Sequence, residues 1–270
     1  MSLVEHVVSP VARKVAFHAR KLPWTLGLRD QFHTSVGMLT VPKAIVSPAI
    51  FYHLVTGDYE TPELTLLDEY LSPDDRVIEL GAGIGFLANR YGRRCAAQTH
   101  VTVEASPGMA DLIRLNTSHL GNITVINAVA AKIPADPLHS LNGSRRTVDF
   151  HEYTDYWASS ISPIHLTNPE RRLIRTLKVD VVDLDELIRT HHANMLVCDI
   201  EGGEYDLVRS FDIDVPKILM ELHWRELGMA RAMTVLRTLQ ERGYQLAGSP
   251  DVLMAVRPGP SGVVSPDITT

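Results

Sequence analysis

Val77-Ile78-Glu79-Leu80-Gly81-Ala82-Gly83-Ile84-Gly85-Phe86 places three alternating glycines directly behind a β-branched apolar run that carries one acid. Such a run reads as a strand buried on both faces, and the glycines as the turn at its carboxyl end, where backbone must pass close to something. In a doubly wound sheet that turn lies in the crevice where ligands bind. The dinucleotide fingerprint asks for a glycine at position 86, where this chain has Phe86, so the turn alone names no cofactor. The next expected strand, His100 to Glu104, ends in an acid 23 residues beyond Gly81, placed to accept hydrogen bonds from both hydroxyls of a ribose. Turn and acid together predict a nucleoside cofactor.

Outward from this pair, strands alternate with helices. The pattern predicts strands at Arg76–Leu80, His100–Glu104, Ile123–Asn127, Leu173–Val179, Met195–Asp199 and Lys217–Leu222, with a closing pair at Tyr244–Leu246 and Val252–Val256. Helices are predicted over Gly85–Arg93, Ser106–His119, a short stretch capped by Asp183, and Glu204–Phe211. A long helix over Glu226–Arg242 carries Met229, Met233, Leu236 and Leu239 on one stripe. This alternation demands right-handed crossovers and a mainly parallel, doubly wound α/β sheet, and the closing pair supplies an antiparallel edge strand. Ser9-Pro10 opens a helix expected to fade before Leu22-Pro23. The chain is thus divided into an N-terminal helical extension at 1–60, a core domain at 61–257 with an insertion at about 131–172, and a flexible Pro/Gly/Ser-rich tail at 258–270.

The chain of 270 residues has a net charge of −6, which gives no electrostatic reason to expect a nucleic-acid partner. Its first fifty residues are nevertheless basic: Arg13, Lys14, Arg20, Lys21, Arg29 and Lys43 stand against Glu5 and Asp30. A solvated helix is the expected use of that arm, with contact to a partner or an anionic membrane as the alternative. Two cysteines, Cys95 and Cys198, sit in or beside apolar runs without CxxC spacing. That pattern, with no apolar run long enough to span a bilayer, predicts a cytoplasmic protein. It leaves the oligomeric state open.

Glu79-Leu80-Gly81-Ala82-Gly83-Ile84-Gly85 is similar to motif I of class I S-adenosylmethionine-dependent methyltransferases. Asp199-Ile200-Glu201-Gly202-Gly203-Glu204 resembles the D-x-E-G-x-E signature of the FkbM family, a group of O-methyltransferases of natural-product and sugar pathways. Gly57-Asp58-Tyr59-Glu60, Val103-Glu104-Ala105-Ser106-Pro107 and Glu221-Leu222-His223 extend the resemblance from about Gly57 to about Val256. Where the family usually has Asp-x-Gly-Ala-Asn, this chain has Glu79-Leu80-Gly81-Ala82-Gly83, which removes an Asn amide. The resemblance implies a Rossmann-like, seven-stranded fold, S-adenosylmethionine as cofactor with S-adenosylhomocysteine as product, and a small-molecule or saccharide acceptor. It also implies a cofactor site at Glu79, Gly81, Ala82, Gly83, Glu104, Ala105, Ser106, Asn127, Ala128 and Asp199.

Asp199, Glu201 and Glu204 put three acids within six residues at the sheet's carboxyl edge, more than helix capping requires. His223, beside Glu221, is the expected general base for an acceptor hydroxyl, which makes Asp199, Glu201, Glu204 and His223 the candidate catalytic set. A magnesium ion on Asp199, Glu201 and His223 is an alternative use of the same residues, ranked behind metal-free catalysis. Two other functions stay open, N-methylation and non-catalytic cofactor binding; against the first, Asp199-Ile200-Glu201-Gly202 stands where amide- and adenine-directed enzymes carry an Asn/Asp-Pro-Pro-aromatic run. The insertion gathers Phe150, Tyr153, Tyr156 and Trp157 within eight residues. One reading is a lid whose Tyr153, Trp157, Ser159 and Ser160 contact the acceptor, and the other is a hairpin that extends the sheet and packs its aromatics inward.

Overall fold

A computed structural model describes residues 10–131, 146–153, 159, 172–210 and 214–258, with side chains from Phe17 onward. The chain divides into two compact units, Met1–Thr61 and Pro62–Thr270.

The first unit contains α1 (Pro10–Thr25), β1 (Gln31–Thr34), β2 (Gly37–Thr40) and α2 (Pro48–Thr56). Unlike the expected helix, α1 runs through Pro23. An interior proline costs about 3 kcal/mol. Here Trp24 opposes that cost: it is buried, donates from Nε1 to the Val41 carbonyl at 2.7 Å, and stacks on Phe51 with centroids 4.2 Å apart. The extension is also not wholly helical, because β1 and β2 form an antiparallel hairpin. Its loop, Ser35-Val36, lacks the Asn-Gly or Asp-Gly chemistry that marks such turns in sequence. Ser47 caps α2 by accepting from the Ile50 N–H at 3.3 Å, and Gly57 ends it at φ 83°.

The second unit follows the order α3 (Thr61–Tyr70), β3 (Val77–Leu80), α4 (Phe86–Arg94), β4 (His100–Glu104), α5 (Pro107–Thr117), β5 (Ile123–Asn127), β6 (Val129–Ala130), β7 (Thr147–Tyr153), β8 (Leu173–Val182), α6 (Leu184–His191), β9 (Met195–Cys198), α7 (Glu204–Ser210), β10 (Lys217–Glu221), α8 (Trp224–Leu227), α9 (Met229–Glu241), β11 (Gln245–Gly248) and β12 (Val252–Val256). Seven strands make one sheet in the order β11-β12-β10-β9-β3-β4-β5. All neighbours from β10 to β5 are parallel, as alternation of strand and helix requires. The antiparallel strand is β12, which lies one place in from the edge because β11 pairs outside it. Strands β3, β4 and β9 are buried along their whole length, in keeping with the apolar run of β9, while β3 and β4 bury polar side chains as well. Strand order reverses between β3 and β9, so the switch-point crevice opens above Leu80 and Cys198.

Two further elements differ from expectation. The strand at Leu173 is not part of the central sheet: β8 pairs with β7 and β6 in a separate three-stranded sheet of order β6-β8-β7. The long helix is interrupted at Gly228 (φ 74°, ψ 153°), which separates α8 from α9 and resets the helical phase. Ala232, Val235 and Leu239 therefore face inward, whereas Met229 and Met233 of the expected stripe are exposed. Among the described helices none is long and apolar enough to cross a membrane. Trp157, Ser160 and the tail from Gly259 onward lie outside the described residues.

Candidate functional site

The opening turn is shaped by the close approach of two strands. Gly81, Gly83 and Gly85 all have positive φ, at 76°, 52° and 79°. At Gly81 a Cβ would lie 1.7 Å from the Asp199 carbonyl oxygen, so the end of β9 passes where any side chain would be. The Gly81 N–H donates to the Val103 carbonyl at 3.0 Å, and the Asp199 N–H donates to the Leu80 carbonyl at 2.9 Å. These bonds join the expected cofactor turn to Asp199.

Glu104 ends β4 and is buried. Its Oε1 accepts from the Ser106 N–H at 2.8 Å, and the backbone N–H groups of Ala105 and Gly83 also bond to the carboxylate. Burial pushes Glu104 up to about 7, with the charge of Glu152 adding and the N–H donors opposing. Glu79 lies buried below the turn, where its Oε2 accepts from the Tyr91 hydroxyl at 3.0 Å, and Tyr91 is also 2.9 Å from the Thr102 hydroxyl. Burial raises Glu79 to about 7, and the nearby charge of Glu104 adds to that. Asn127 braces the turn after β4: its Nδ2 donates to the Glu104 and Ala105 carbonyls at 2.8 and 2.9 Å. Ala128 is packed in the core, and its N–H donates to the Glu104 carbonyl at 3.0 Å.

On the other side of the switch point the signature forms a tight turn. Because β9 stops at Cys198, Glu201 is not placed by strand alternation. It adopts φ 46° and is followed by Gly202 at φ 92°, which turns the chain back over the strand end. A non-glycine residue in this region stores strain of about 1–3 kcal/mol, a feature that concentrates at functional sites. Glu204, in the first turn of α7, is fully buried; its Oε1 accepts from the Gly202 N–H at 3.2 Å and bonds to His223 Nδ1 at 2.5 Å. His223 Nε2 then faces Asp199 at 3.4 Å, Glu201 at 3.5 Å and Glu221 at 3.7 Å. All four candidate catalytic residues thus meet at His223, although they come from two separate chain segments.

The electrostatics of this cluster change one expectation. Burial works against a charge on His223, but the Glu204 hydrogen bond and the charges of Asp199 and Glu201 outweigh it and push the imidazole up to about 10. At neutral pH it is an imidazolium and cannot accept a proton, so it does not suit the role of general base. Burial raises Glu201 to about 7, with His223 opposing and Glu221 adding. Glu201 therefore has the acidity suited to proton transfer near neutrality. Asp199, Glu201 and His223 each offer a ligand atom within 4.8 Å of the others, a spacing that a single cation could bridge.

The expected acceptor contacts are only partly described. Tyr153 is buried, and its N–H donates to the Ser159 hydroxyl at 3.3 Å. Phe150 is also buried. Sequence reasoning missed Glu152 of β7, whose Oε1 accepts from the Ser106 hydroxyl at 2.6 Å and whose Oε2 meets Arg175 Nε at 2.6 Å. A signal was present: alternation puts Glu152 on the face of Phe150, and an acid on an apolar strand face needs a partner.

The family profile described as "Methyltransferase FkbM domain" matches residues 79–246, more than half of the chain. Comparison with curated proteins gives no match. Among solved structures, the chain is similar to Aeropyrum pernix fibrillarin in complex with natively bound S-adenosyl-L-methionine, at 14% identity over 72% of this chain and 71% of that one, with a TM-score of 0.39. It is also similar to precorrin-6y C5,15-methyltransferase from Geobacter metallireducens GS-15, at 13% identity over 73% of this chain and 87% of that one, with a TM-score of 0.39.

Proposed function

The chain belongs to the FkbM methyltransferase family and is an S-adenosylmethionine-dependent methyltransferase, and from that premise we propose that it methylates a hydroxyl oxygen of a small-molecule or sugar acceptor. The observation that carries this reading is the acid-histidine cluster beside the glycine turn. An alcohol must lose its proton as it is methylated, and Glu201, beside His223 and raised by burial to about 7, is the residue we assign to take it. A cytoplasmic setting belongs to the same proposal, supported by two buried free cysteines.

The residues fit the cofactor: Glu104 presents a buried carboxylate at the end of the strand beside the glycine turn, with backbone N–H groups to hold it in place. When bound, S-adenosylmethionine supplies an electrophilic sulfonium methyl. Glu104 would accept hydrogen bonds from the ribose hydroxyls, while Ser106, Ala105 and Gly83 hold its carboxylate through their N–H groups. Glu201 takes the acceptor proton. His223, gripped by Glu204, remains protonated and balances Asp199, Glu201 and Glu221, so that the carboxylates can stay close together. Most of the rate enhancement then comes from holding the acceptor oxygen in line with the methyl group.

Transfer of labelled methyl to a pool of small metabolites tests the function, with an alkali-stable O-methyl product expected. An N-methyl product, or label in nucleic acid, would overturn the acceptor class; cofactor binding without any transfer would mark a binding protein. Glu104→Ala is expected to weaken S-adenosylhomocysteine binding by ~1.5–3 kcal/mol through lost hydrogen bonds to a charged group. Equal calorimetric affinity in wild type and variant would remove Glu104 from the site.

One observation favours a second reading. Glu204 fixes His223 through Nδ1 and leaves Nε2 facing Asp199, Glu201 and Glu221, the arrangement by which outer carboxylates orient metal-bound histidines. A divalent cation on Asp199, Glu201 and His223 would polarise the acceptor hydroxyl. The imidazolium already supplies the balancing positive charge, so the metal-free reading takes precedence. Chelator-treated enzyme is expected to keep its activity; loss of activity with rescue by magnesium or manganese would select the metal.

A further inference from the structure

The small sheet of the insertion carries a carboxylate that the acid-histidine cluster does not use. Glu152 is nine-tenths buried, a costly position unless both of its oxygens are satisfied. One is satisfied within the sheet: Arg175 is its register partner on β8, and Nε meets Oε2 at 2.6 Å. The other reaches out of the sheet to the Ser106 hydroxyl, 46 residues away in sequence, at 2.6 Å. A register shift between Glu152 and Tyr153 lies at this point, and bulges of that kind re-aim side chains beside sites.

Ser106 is where the two arrangements meet. Its N–H holds Glu104 Oε1 at 2.8 Å while its hydroxyl is held by Glu152. We propose that Glu152 is a positioning residue of the cofactor site, which acts through Ser106 to hold the turn that presents Glu104 to the ribose. The insertion then governs binding of the nucleoside end of the cofactor, in addition to any contact with the acceptor. This inference rests on the reading of Glu104 as the ribose acid.

The charges facing Glu104 are Glu79 from β3 and Glu152 from β7, with Arg175 of β8 on the other oxygen of Glu152. Glu152 opposes ionisation of Glu104. A neutral replacement therefore moves the pH-dependent limb of cofactor binding to lower pH, a readout that a merely structural role would not shift.

Calorimetry of S-adenosylhomocysteine with the full chain tests the proposal on Glu152→Ala, Glu152→Gln, Ser106→Ala, the Ser106→Ala/Glu152→Ala double variant and Glu104→Ala, each checked by its melting temperature. Glu152→Ala and Ser106→Ala are each expected to weaken binding about tenfold, the loss typical of one hydrogen bond to a charged group, and the double variant no further than the worse single one. Glu152→Gln should shift the pH limb downward. Should Glu152→Ala melt far below wild type, Ser106→Ala and Glu152→Gln carry the test. Wild-type affinity in Glu152→Ala, or additive losses in the double variant, with Glu104→Ala still impaired, would overturn this inference alone. Wild-type affinity in Glu104→Ala would overturn the ribose reading and this inference with it.

Discussion

Gly81→Ala is expected to lower the melting temperature by roughly 6–15 °C and to abolish measurable cofactor binding. The added Cβ would lie 1.7 Å from the Asp199 carbonyl oxygen and 2.9 Å from its carbon, and both are backbone atoms that no rotamer change can move. Strands β3 and β9 would have to part at the switch point. That separation breaks the bond from the Asp199 N–H to the Leu80 carbonyl and displaces the Glu201 turn that follows. Overpacking costs about 1–3 kcal/mol, and a side chain at φ 76° adds about 1–2 kcal/mol. A variant that melts within about 2 °C of wild type and binds S-adenosylhomocysteine normally would show that the strands do not approach so closely.

Glu201→Gln is expected to reduce kcat by about 10²–10⁴ and to leave cofactor affinity unchanged, because it removes a proton acceptor and little else. Wild-type kcat should rise with pH through about 7, as Glu201 loses its proton and becomes able to accept one, and the variant should lack that limb. His223→Asn tests the charge balance. The imidazolium favours ionisation of Glu201, so its removal moves the same limb to higher pH. Full activity in Glu201→Gln, or an unmoved limb in His223→Asn, would exclude this division of roles.

Much of the fold follows from local pattern. Short apolar runs such as Met195–Cys198, and Val77–Leu80 with its single acid, fit strands covered on both faces, and strands alternating with helices close as a parallel sheet. The Asp183 cap was equally legible: it accepts from the Glu186 N–H at 3.0 Å. These are properties of neighbouring residues, and distant ones do not alter them. Where distant contacts compete, pattern misled. Trp24 carries α1 past its proline, and β12 enters the sheet inside β11.

The candidate site divides along the same line. The glycine turn, Glu104 and the acidic signature were readable because each is a short motif at a strand end, and strand ends on one edge of a parallel sheet must converge. The sequence by itself determined the family, the cofactor and the identities of the clustered acids. Only the tertiary structure decided their protonation and their partners. His223 becomes an imidazolium because the turn after β9, together with α7 and β10, brings carboxylates within 4 Å of it, and Glu152 reaches Ser106 because an insertion folds back across 46 residues. Charge and hydrogen bonding act through distance in space, and a linear chain states that distance only for neighbours.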